Sequence, residues 1–209
     1  MRHFALRLVL GLGVATGLNV IHSTEAQACG MWRPAMEDSA ERLVASADRA
    51  AAKGDVRQAV RLYERAMNDD ESEAGIRVRA AIRAGDLNAQ IGKARESLRR
   101  YQHAVELDGR SFAARMALGQ ALTERGDLPG AQTQFAAAGE NPRNAKINRA
   151  NAQAALAIVF SKQGQGDAAA LAMAKARVMG AADSALAAAE TAMRAAQKPA
   201  AATVATIQM

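Results

Sequence analysis

Small and apolar residues recur at fixed spacings along the chain, separated by polar stretches. Four glycines, Gly54, Gly92, Gly126 and Gly164, each stand five positions before a small residue, nine before a bulky one and twelve before an alanine. The small residues are Ala59, Ser97, Ala131 and Ala169, the bulky ones Tyr63, Tyr101, Phe135 and Met173, and the alanines Ala66, Ala104, Ala138 and Ala176. Another small residue precedes each glycine by seven positions, at Ala47, Gly85, Gly119 and Ala157. These spacings predict a helix on each side of every glycine.

The residues at the glycines predict tight turns between paired helices. A glycine adopts the left-handed conformation that ends a helix at little cost. Asp55 and Asp127 follow two of these glycines, where the next helix needs an N-cap, and Pro129 stands in a first helical turn. Turn chemistry and helix packing therefore both predict a series of helical hairpins.

Together these positions resemble the tetratricopeptide repeat, a 34-residue helix-turn-helix unit. The third copy is the clearest, with Leu118, Gly119, Leu122, Gly126, Asp127, Ala131, Phe135, Ala138, Asn141 and Pro142. The tryptophan that the family has early in the first helix is replaced by Leu43, Ala81, Arg115 and Gln153. The resemblance implies an all-α fold, a right-handed superhelical solenoid of about four repeats with a C-terminal capping helix.

The glycine spacing sets the predicted boundaries. The repeats are placed at residues 40–73, 78–111, 112–145 and 150–183, followed by a capping helix at 184–198 and a frayed tail at 199–209. Because two of the intervals hold four extra residues, we place these extras in polar loops at 68–75 and 142–150. Leu186 and Met193 are expected to seal the last hairpin, and Trp32, within the N-terminal segment 29–39, to pack on the first.

The first 28 residues have the pattern of an export signal. Arg2 and Arg7 precede an apolar stretch at 8–21, and Ala26-Gln27-Ala28 is a small-x-small cleavage site. At about 14 residues the apolar stretch is short for a membrane span, which takes roughly 20, although a retained anchor is the alternative. We therefore expect a periplasmic or secreted protein.

Cleavage after Ala28 would make Cys29, the only cysteine of the chain, the first residue of the mature protein. This arrangement resembles a bacterial lipobox, so Cys29 is a candidate lipidation site and a lipoprotein of the cell envelope is the alternative localisation. Membrane attachment is expected only through a lipidated Cys29. Lipoboxes, however, carry a leucine three residues before the cysteine, where this chain has Ala26.

The charge of the chain is positive but uneven. The formal net charge is +6, yet residues 40–73 have a net charge of −2 and residues 78–111 one of +3. The chain has two tyrosines and lacks aromatic residues interleaved with its basic ones, so we expect no nucleic-acid partner. A solvated helix surface explains the excess of basic residues, and attraction of an acidic partner is the alternative.

Candidate catalytic residues are scarce. After export, His103 and Cys29 would be the only histidine and cysteine, too few for a zinc site or a cysteine-histidine pair. The acidic run 69–71 lacks the alternating ligands of an EF-hand, and Gly164-Gln165-Gly166 is explained as a repeat turn. We therefore predict no catalytic residue, no metal site and no cofactor.

The resemblance implies that the first helix of each hairpin lines a concave groove that takes a peptide or a partner helix. The corresponding positions here are Arg79, Ile82, Arg83, Asp86 and Gln90 in the second repeat and Met116, Gln120 and Glu124 in the third. Arg79 and Arg83 stand one turn apart and could grip one carboxylate together. The family's clamp for a C-terminal carboxylate is not reproduced, since its positions hold Val44, Asp48, Arg83, Ala113 and Ala117.

The leading hypothesis is a non-enzymatic scaffold of the bacterial cell envelope that binds a partner protein or peptide through the groove or edge of the solenoid, with an acidic partner as one option. Two alternatives stay open. One is a lipid-anchored assembly factor of the outer membrane that depends on Cys29. The other is an accessory subunit of an envelope enzyme complex.

Overall fold

The computed structural model describes residues 39–197. This part of the chain is all-α. Its helices are α1 (Ala40–Ala52), α2 (Val56–Met67), α3 (Ala74–Gln90), α4 (Ala94–Leu107), α5 (Phe112–Arg125), α6 (Leu128–Glu140), α7 (Lys146–Lys162), α8 (Gly166–Met179) and α9 (Asp183–Gln197).

Consecutive helices pack in pairs, and the pairs stack into a solenoid. The hairpins are α1 with α2, α3 with α4, α5 with α6, and α7 with α8, and the second helix of each hairpin packs on the first helix of the next. The first helices α1, α3, α5 and α7 contact one another only lightly, which leaves an open groove along their side of the stack. The predicted solenoid of four helix-turn-helix repeats is therefore confirmed.

The turns within the hairpins have the predicted chemistry. Their four glycines have φ values between 74° and 82°, in the left-handed region. Asp55 caps α2 by accepting a hydrogen bond from the backbone N–H of Gln58, at 3.0 Å. Asp127 caps α6 in the same way through Gly130 N–H, also at 3.0 Å. Each capping aspartate thus accepts a hydrogen bond from a backbone N–H group that has no partner within the helix.

One contact between the helices of a hairpin explains two of the sequence patterns. The ring of Tyr101 packs directly on Gly85, and the ring of Phe135 packs on Gly119. A Cβ added at Gly85 would lie 2.5 Å from Tyr101 Cε1, and one added at Gly119 would lie 2.6 Å from Phe135 Cε1. The small residue before the turn and the bulky residue after it are thus the two sides of one close contact.

The solenoid has a core built mainly from alanine. Ala66, Ala104, Ala138 and Ala176, the predicted alanines of the second helices, are all fully buried. Small side chains let neighbouring helices approach closely. Of the residues that the structure describes, Tyr63 and Val159 are the largest that are fully buried. The buried positions fall into separate clusters along the stack, as expected where each repeat contacts only its neighbours.

The predicted starts of the second and fourth repeats, Val78 and Ala150, are each one turn too late. Helix α3 begins at Ala74 and α7 at Lys146, so both helices have 17 residues, against 13 in α1 and 14 in α5. The four extra residues of each long interval thus extend a helix rather than a loop.

Arginines hold these additional turns in place. Arg77 Nε donates a hydrogen bond to the carbonyl of Met67, at the end of α2, at 3.2 Å. At the equivalent position two repeats later, Arg149 Nε donates to the carbonyl of Gly139, near the end of α6, at 3.3 Å. Carbonyls at the end of a helix lack partners within the helix. Each added turn therefore caps the hairpin before it.

Helix α9 covers the end of the solenoid. It packs more extensively on α7 than on α8, and its Leu186 and Met193 join the core cluster around Phe135 and Met173. The backbone N–H of Ala182 donates to Asn151 Oδ1 at 2.9 Å, which ties the start of α9 to α7. The predicted N-terminal cover, Trp32, lies outside the described residues, as do Cys29 and the tail at 199–209.

Candidate binding groove

The main concave groove has a volume of about 630 Å³ and extends across the first three hairpins. Helices α1, α3 and α5 form its floor, and the tyrosines of α2 and α4 reach into it between them. The lining residues are Asp48, Ala51, Tyr63, Arg83, Asp86, Leu87, Ala89, Gln90, Ser97, Tyr101, Ala117, Gln120, Ala121 and Glu124. Stacked repeats form extended concave surfaces of this kind, which solenoid proteins use for binding.

Two tyrosine–aspartate pairs organise the polar part of the groove. The Tyr63 hydroxyl donates to Asp48 Oδ1, and the Tyr101 hydroxyl donates to Asp86 Oδ1 at 2.9 Å. Both tyrosine rings are buried, at 2% and 7% exposure, whereas the aspartates are partly or fully open to the groove. Each buried ring therefore fixes a carboxylate at the groove surface.

The environment of the two tyrosines keeps their hydroxyls protonated. Burial and the hydrogen bond to Asp86 raise the pKa of Tyr101 to about 12. Burial and the hydrogen bond to Asp48 raise the pKa of Tyr63 further, while the charge of Arg83 lowers it. Both hydroxyls therefore remain donors to their carboxylates throughout the physiological pH range.

The eight residues predicted for the groove lie on one continuous surface of three adjoining depressions. Five of them line the main groove: Arg83, Asp86, Gln90, Gln120 and Glu124. Arg79 and Ile82 line a neighbouring depression of about 390 Å³ that shares Arg83 and Asp86 with the main groove. Met116 lines another, of about 340 Å³, that shares Gln120 and Glu124. Their role in binding a partner stays a prediction.

Sequence reasoning placed Asp48 at a position of the family's carboxylate clamp but did not include it among the groove residues, and it treated Tyr63 and Tyr101 only as bulky residues of the repeat pattern. The signal that would have identified the pairs is their identical spacing, since Tyr63 follows Asp48 and Tyr101 follows Asp86 by fifteen positions. Arg79 and Arg83 do line one depression together, but Asp86 and Asp108 line it too. Arg83 Nη1 lies 3.9 Å from Asp86 Oδ2. The carboxylate clamp fails for an additional reason, because Val44 is a buried core residue with 3% exposure.

The groove changes character along the repeats. The position of Asp48 and Asp86 is occupied by Gln120 in the third hairpin and Ile158 in the fourth. The position of the two tyrosines is occupied by Phe135 and then Met173. The depression beside Phe135 is accordingly lined mostly by apolar atoms, from Met116, Phe135, Ala155, Ile158 and Ala188 of the capping helix.

In the acidic loop after α2, the carboxylates of Asp69 and Asp70 contact neighbouring side chains. Ser72 Oγ donates to Asp69 Oδ2 at 2.5 Å, and this hydrogen bond lowers the pKa of Asp69. Asp70 forms an ion pair with Arg77 at 2.7 Å. Residues 69–71 lie between α2 and α3, in agreement with the interpretation of this acidic run as a loop between repeats.

Neither a cluster of metal ligands nor a membrane-spanning helix occurs within residues 39–197. In this range, no group of three or more histidine, cysteine, aspartate or glutamate side chains is arranged to hold a metal ion. None of the helices described there combines the length and the apolar character needed to cross a bilayer. His103 lies on α4 with its Nδ1 3.3 Å from Glu106 Oε2.

Solved structures of several proteins resemble this one. MamA is 21% identical, with a TM-score of 0.60 over 76% of this chain and 81% of its own. YrrB, described as a TPR protein with an unusual peptide-binding site, is 20% identical, with a TM-score of 0.58 over 83% of this chain and 88% of its own. PilF of Pseudomonas aeruginosa is 13% identical, with a TM-score of 0.57 over 83% and 78%. These likenesses identify the fold as a tetratricopeptide-repeat solenoid.

No protein-family model matches the sequence, and no curated protein sequence matches it either. Fold is therefore what the comparisons establish, and the function has to be inferred from the groove itself.

Proposed function

We propose that this protein is a non-enzymatic scaffold that binds an extended segment of a partner protein in its concave groove. The observation that carries this proposal is the main groove of about 630 Å³ along the first helices, in which tyrosine hydroxyls hold Asp48 and Asp86 in place. A solenoid of stacked hairpins presents an extended concave surface, which suits a peptide better than a small substrate. YrrB, a TPR protein of similar fold with a peptide-binding site, supports the proposal.

The proposal places the scaffold in the bacterial cell envelope. Its support is the sequence pattern at residues 1–28, with Arg2 and Arg7, the apolar stretch and the small-x-small site at Ala26-Gln27-Ala28. The proposed partner is then another envelope protein. The expectation of an acidic partner is not retained for the groove, since the lining of the groove carries more carboxylates than guanidinium groups.

Site-specific photocrosslinking tests the groove directly. A photoreactive phenylalanine analogue would replace Gln90 or Gln120, two exposed groove residues, or Gln102, an exposed residue of α4 outside the groove. All three changes remove a glutamine from a helix surface, so Gln102 is the matched control. After irradiation of cells that make the full chain, partner adducts should form from positions 90 and 120 and not from 102. Equal adducts from all three positions, or adducts from 102 alone, would exclude the groove as the binding surface.

A further inference from the structure

The charge of the groove is opposite to that of the whole protein. Its lining contains three carboxylates, Asp48, Asp86 and Glu124, and one guanidinium, Arg83, for a formal charge of −2. The complete chain has a formal net charge of +6. The groove thus forms a local acidic region on a basic protein, which favours a cationic ligand group.

The carboxylates are arranged to accept further hydrogen bonds. The hydroxyls of Tyr63 and Tyr101 donate hydrogen bonds to Oδ1 of Asp48 and Oδ1 of Asp86, respectively. Asp86 Oδ2 has only a long contact with Arg83, at 3.9 Å. Within residues 39–197, neither Asp48 nor Glu124 takes part in an ion pair, and Glu124 Oε1 accepts a hydrogen bond from Gln120 Nε2 at 3.3 Å. Because the rings that fix the aspartates are buried, a cationic donor would meet carboxylates that are already oriented, which lowers the entropic cost of binding.

The repeat pattern places the carboxylates of Asp48 and Asp86 in adjacent hairpins. Asp48 on α1 and Asp86 on α3 occupy the same repeat position, and both line the one groove. A lysine or arginine side chain between them would have acceptors on both sides, and arginine would present several donors at once. An acidic side chain at this place would face repulsion from the carboxylates, against which the described lining residues offer one cationic group, that of Arg83.

The other end of the concave surface favours an apolar group. There the same repeat positions hold Ile158 and Phe135 in place of aspartate and tyrosine. Met116, Ala155 and Ile158 are partly exposed and line the adjoining depression of about 340 Å³. Burial of an apolar side chain among them would remove apolar area from water on both partners.

We propose that the groove binds an extended peptide segment carrying a basic side chain, held by Asp48 and Asp86, and an apolar side chain placed toward Ile158. This inference rests on the proposed peptide-binding function and adds the chemistry of the peptide. Charge complementarity and the change from polar to apolar lining along the same repeat positions support it.

A peptide library tests the inference without knowledge of the natural partner. The probe is a positional-scanning library of 12-residue peptides in which one position is fixed as Lys, Arg, Asp, Glu, Leu, Phe or Ser and the others are randomised. Peptides retained by the immobilised full chain are quantified by mass spectrometry. Peptides with fixed Lys or Arg should be enriched about tenfold over those with fixed Asp or Glu, as expected for one charge-assisted contact. Fixed Leu and Phe should be enriched over Ser.

Variants connect each preference to its residues. Asp48→Asn with Asp86→Asn keeps an oxygen acceptor for each tyrosine and should abolish the preference for basic residues. Asp167→Asn with Asp183→Asn makes the same charge change at exposed sites outside the groove and should preserve it. Ile158→Ser should remove only the preference for Leu and Phe, whereas Arg83→Gln should strengthen the preference for basic residues. Circular dichroism confirms that each variant is folded.

The outcomes separate this inference from the proposed function. Peptide binding without a charge preference, or with a preference for Asp and Glu, overturns the inference and leaves peptide binding intact. A basic preference that survives the Asp48→Asn, Asp86→Asn variant also overturns it. Absence of any retained peptide counts against the proposed function itself. Sedimentation that reveals a dimer, lost in this double variant, would assign the groove to a second copy of the chain and overturn the inference.

Discussion

Replacement of Gly85 by alanine tests the close contact between the two helices of the second hairpin. The added Cβ would lie 2.5 Å from Cε1, 2.8 Å from Cδ1 and 3.0 Å from Cζ of the Tyr101 ring. Non-bonded carbon atoms prefer separations of roughly 3.5–4.0 Å, so the ring has to move by about 1 Å. Tyr101 is buried against Leu98 and Leu118, which leaves little room for that movement.

The expected effect follows from three opposing contributions. Overpacking a buried site costs about 1–3 kcal/mol. A shift of the ring also weakens the hydrogen bond from Tyr101 to Asp86, whose loss costs about 1 kcal/mol. Alanine in place of glycine within a helix returns about 1 kcal/mol. The free energy of unfolding of Gly85→Ala should therefore fall by about 2 kcal/mol, the middle of these ranges.

Gly75→Ala in the same helix is the matched control. Its added Cβ would meet nothing closer than Glu73 Oε1, at 3.8 Å, so the gain in helix propensity acts alone. Urea unfolding followed by far-ultraviolet circular dichroism should give a higher midpoint for Gly75→Ala and a lower one for Gly85→Ala, relative to the unmodified protein. The destabilisation by Gly85→Ala should shrink in a Tyr101→Leu background, where the ring is absent. A higher midpoint for both alanine variants would refute the close-contact explanation.

Two further predictions concern the tyrosines and the N-terminus. Folding raises the pKa of Tyr101 from 10.0 to about 12 and also raises that of Tyr63. Between these pH values the native protein keeps protons that the unfolded chain loses. The stability that the two groups contribute is therefore complete below pH 10 and is lost as the pH rises toward 12 and beyond. Since the chain has only these two tyrosines, ultraviolet absorbance should detect no tyrosinate in the native protein near pH 10 and about half ionisation in urea, and equal titration curves would contradict the buried pairs. Mass spectrometry of the protein isolated from its native host should find a chain that begins at Cys29, unmodified for soluble export or with added acyl mass for a lipid anchor. A chain that retains residues 1–28 would rule out both.

The fold was predictable from the sequence because the contacts that build it are local and repeated. Each turn glycine, each N-cap and each small–bulky pair lies within a single hairpin, so a fixed spacing encodes one contact. Gly85 and Tyr101, sixteen positions apart, illustrate this relation. The additional turns of α3 and α7 were not predicted, because a polar composition fits a loop as well as an exposed helical turn. Arg77 and Arg149 stabilise the helical turns through hydrogen bonds to the preceding helices. The local spacing of residues does not reveal these hydrogen bonds.

The floor of the groove was only partly predictable. The first-helix positions came from the resemblance, and they do form one surface. The hydrogen bonds of Tyr63 and Tyr101 to the aspartates were missed, because a tyrosine at a packing position satisfies the repeat pattern through its ring alone. The phenolic oxygen adds a polar role that phenylalanine, found at the same position as Phe135, does not have. The net acidic charge of the groove likewise depends on which side chains of three hairpins converge.

The one-turn extensions of α3 and α7 indicate how such a chain can change in length. Four residues amount to about 1.1 helical turns, so residues on the two sides of such an insertion differ in orientation by only about 40° from an uninterrupted helix. At the start of a helix, the insertion adds one turn and leaves every later buried position in place. The start of a first helix is therefore a site where evolution or an engineer can add or delete a turn while the stack is preserved. A strict 34-residue period that matches the second and third turn glycines, Gly92 and Gly126, would misplace the turns at Gly54 and Gly164 by four residues each.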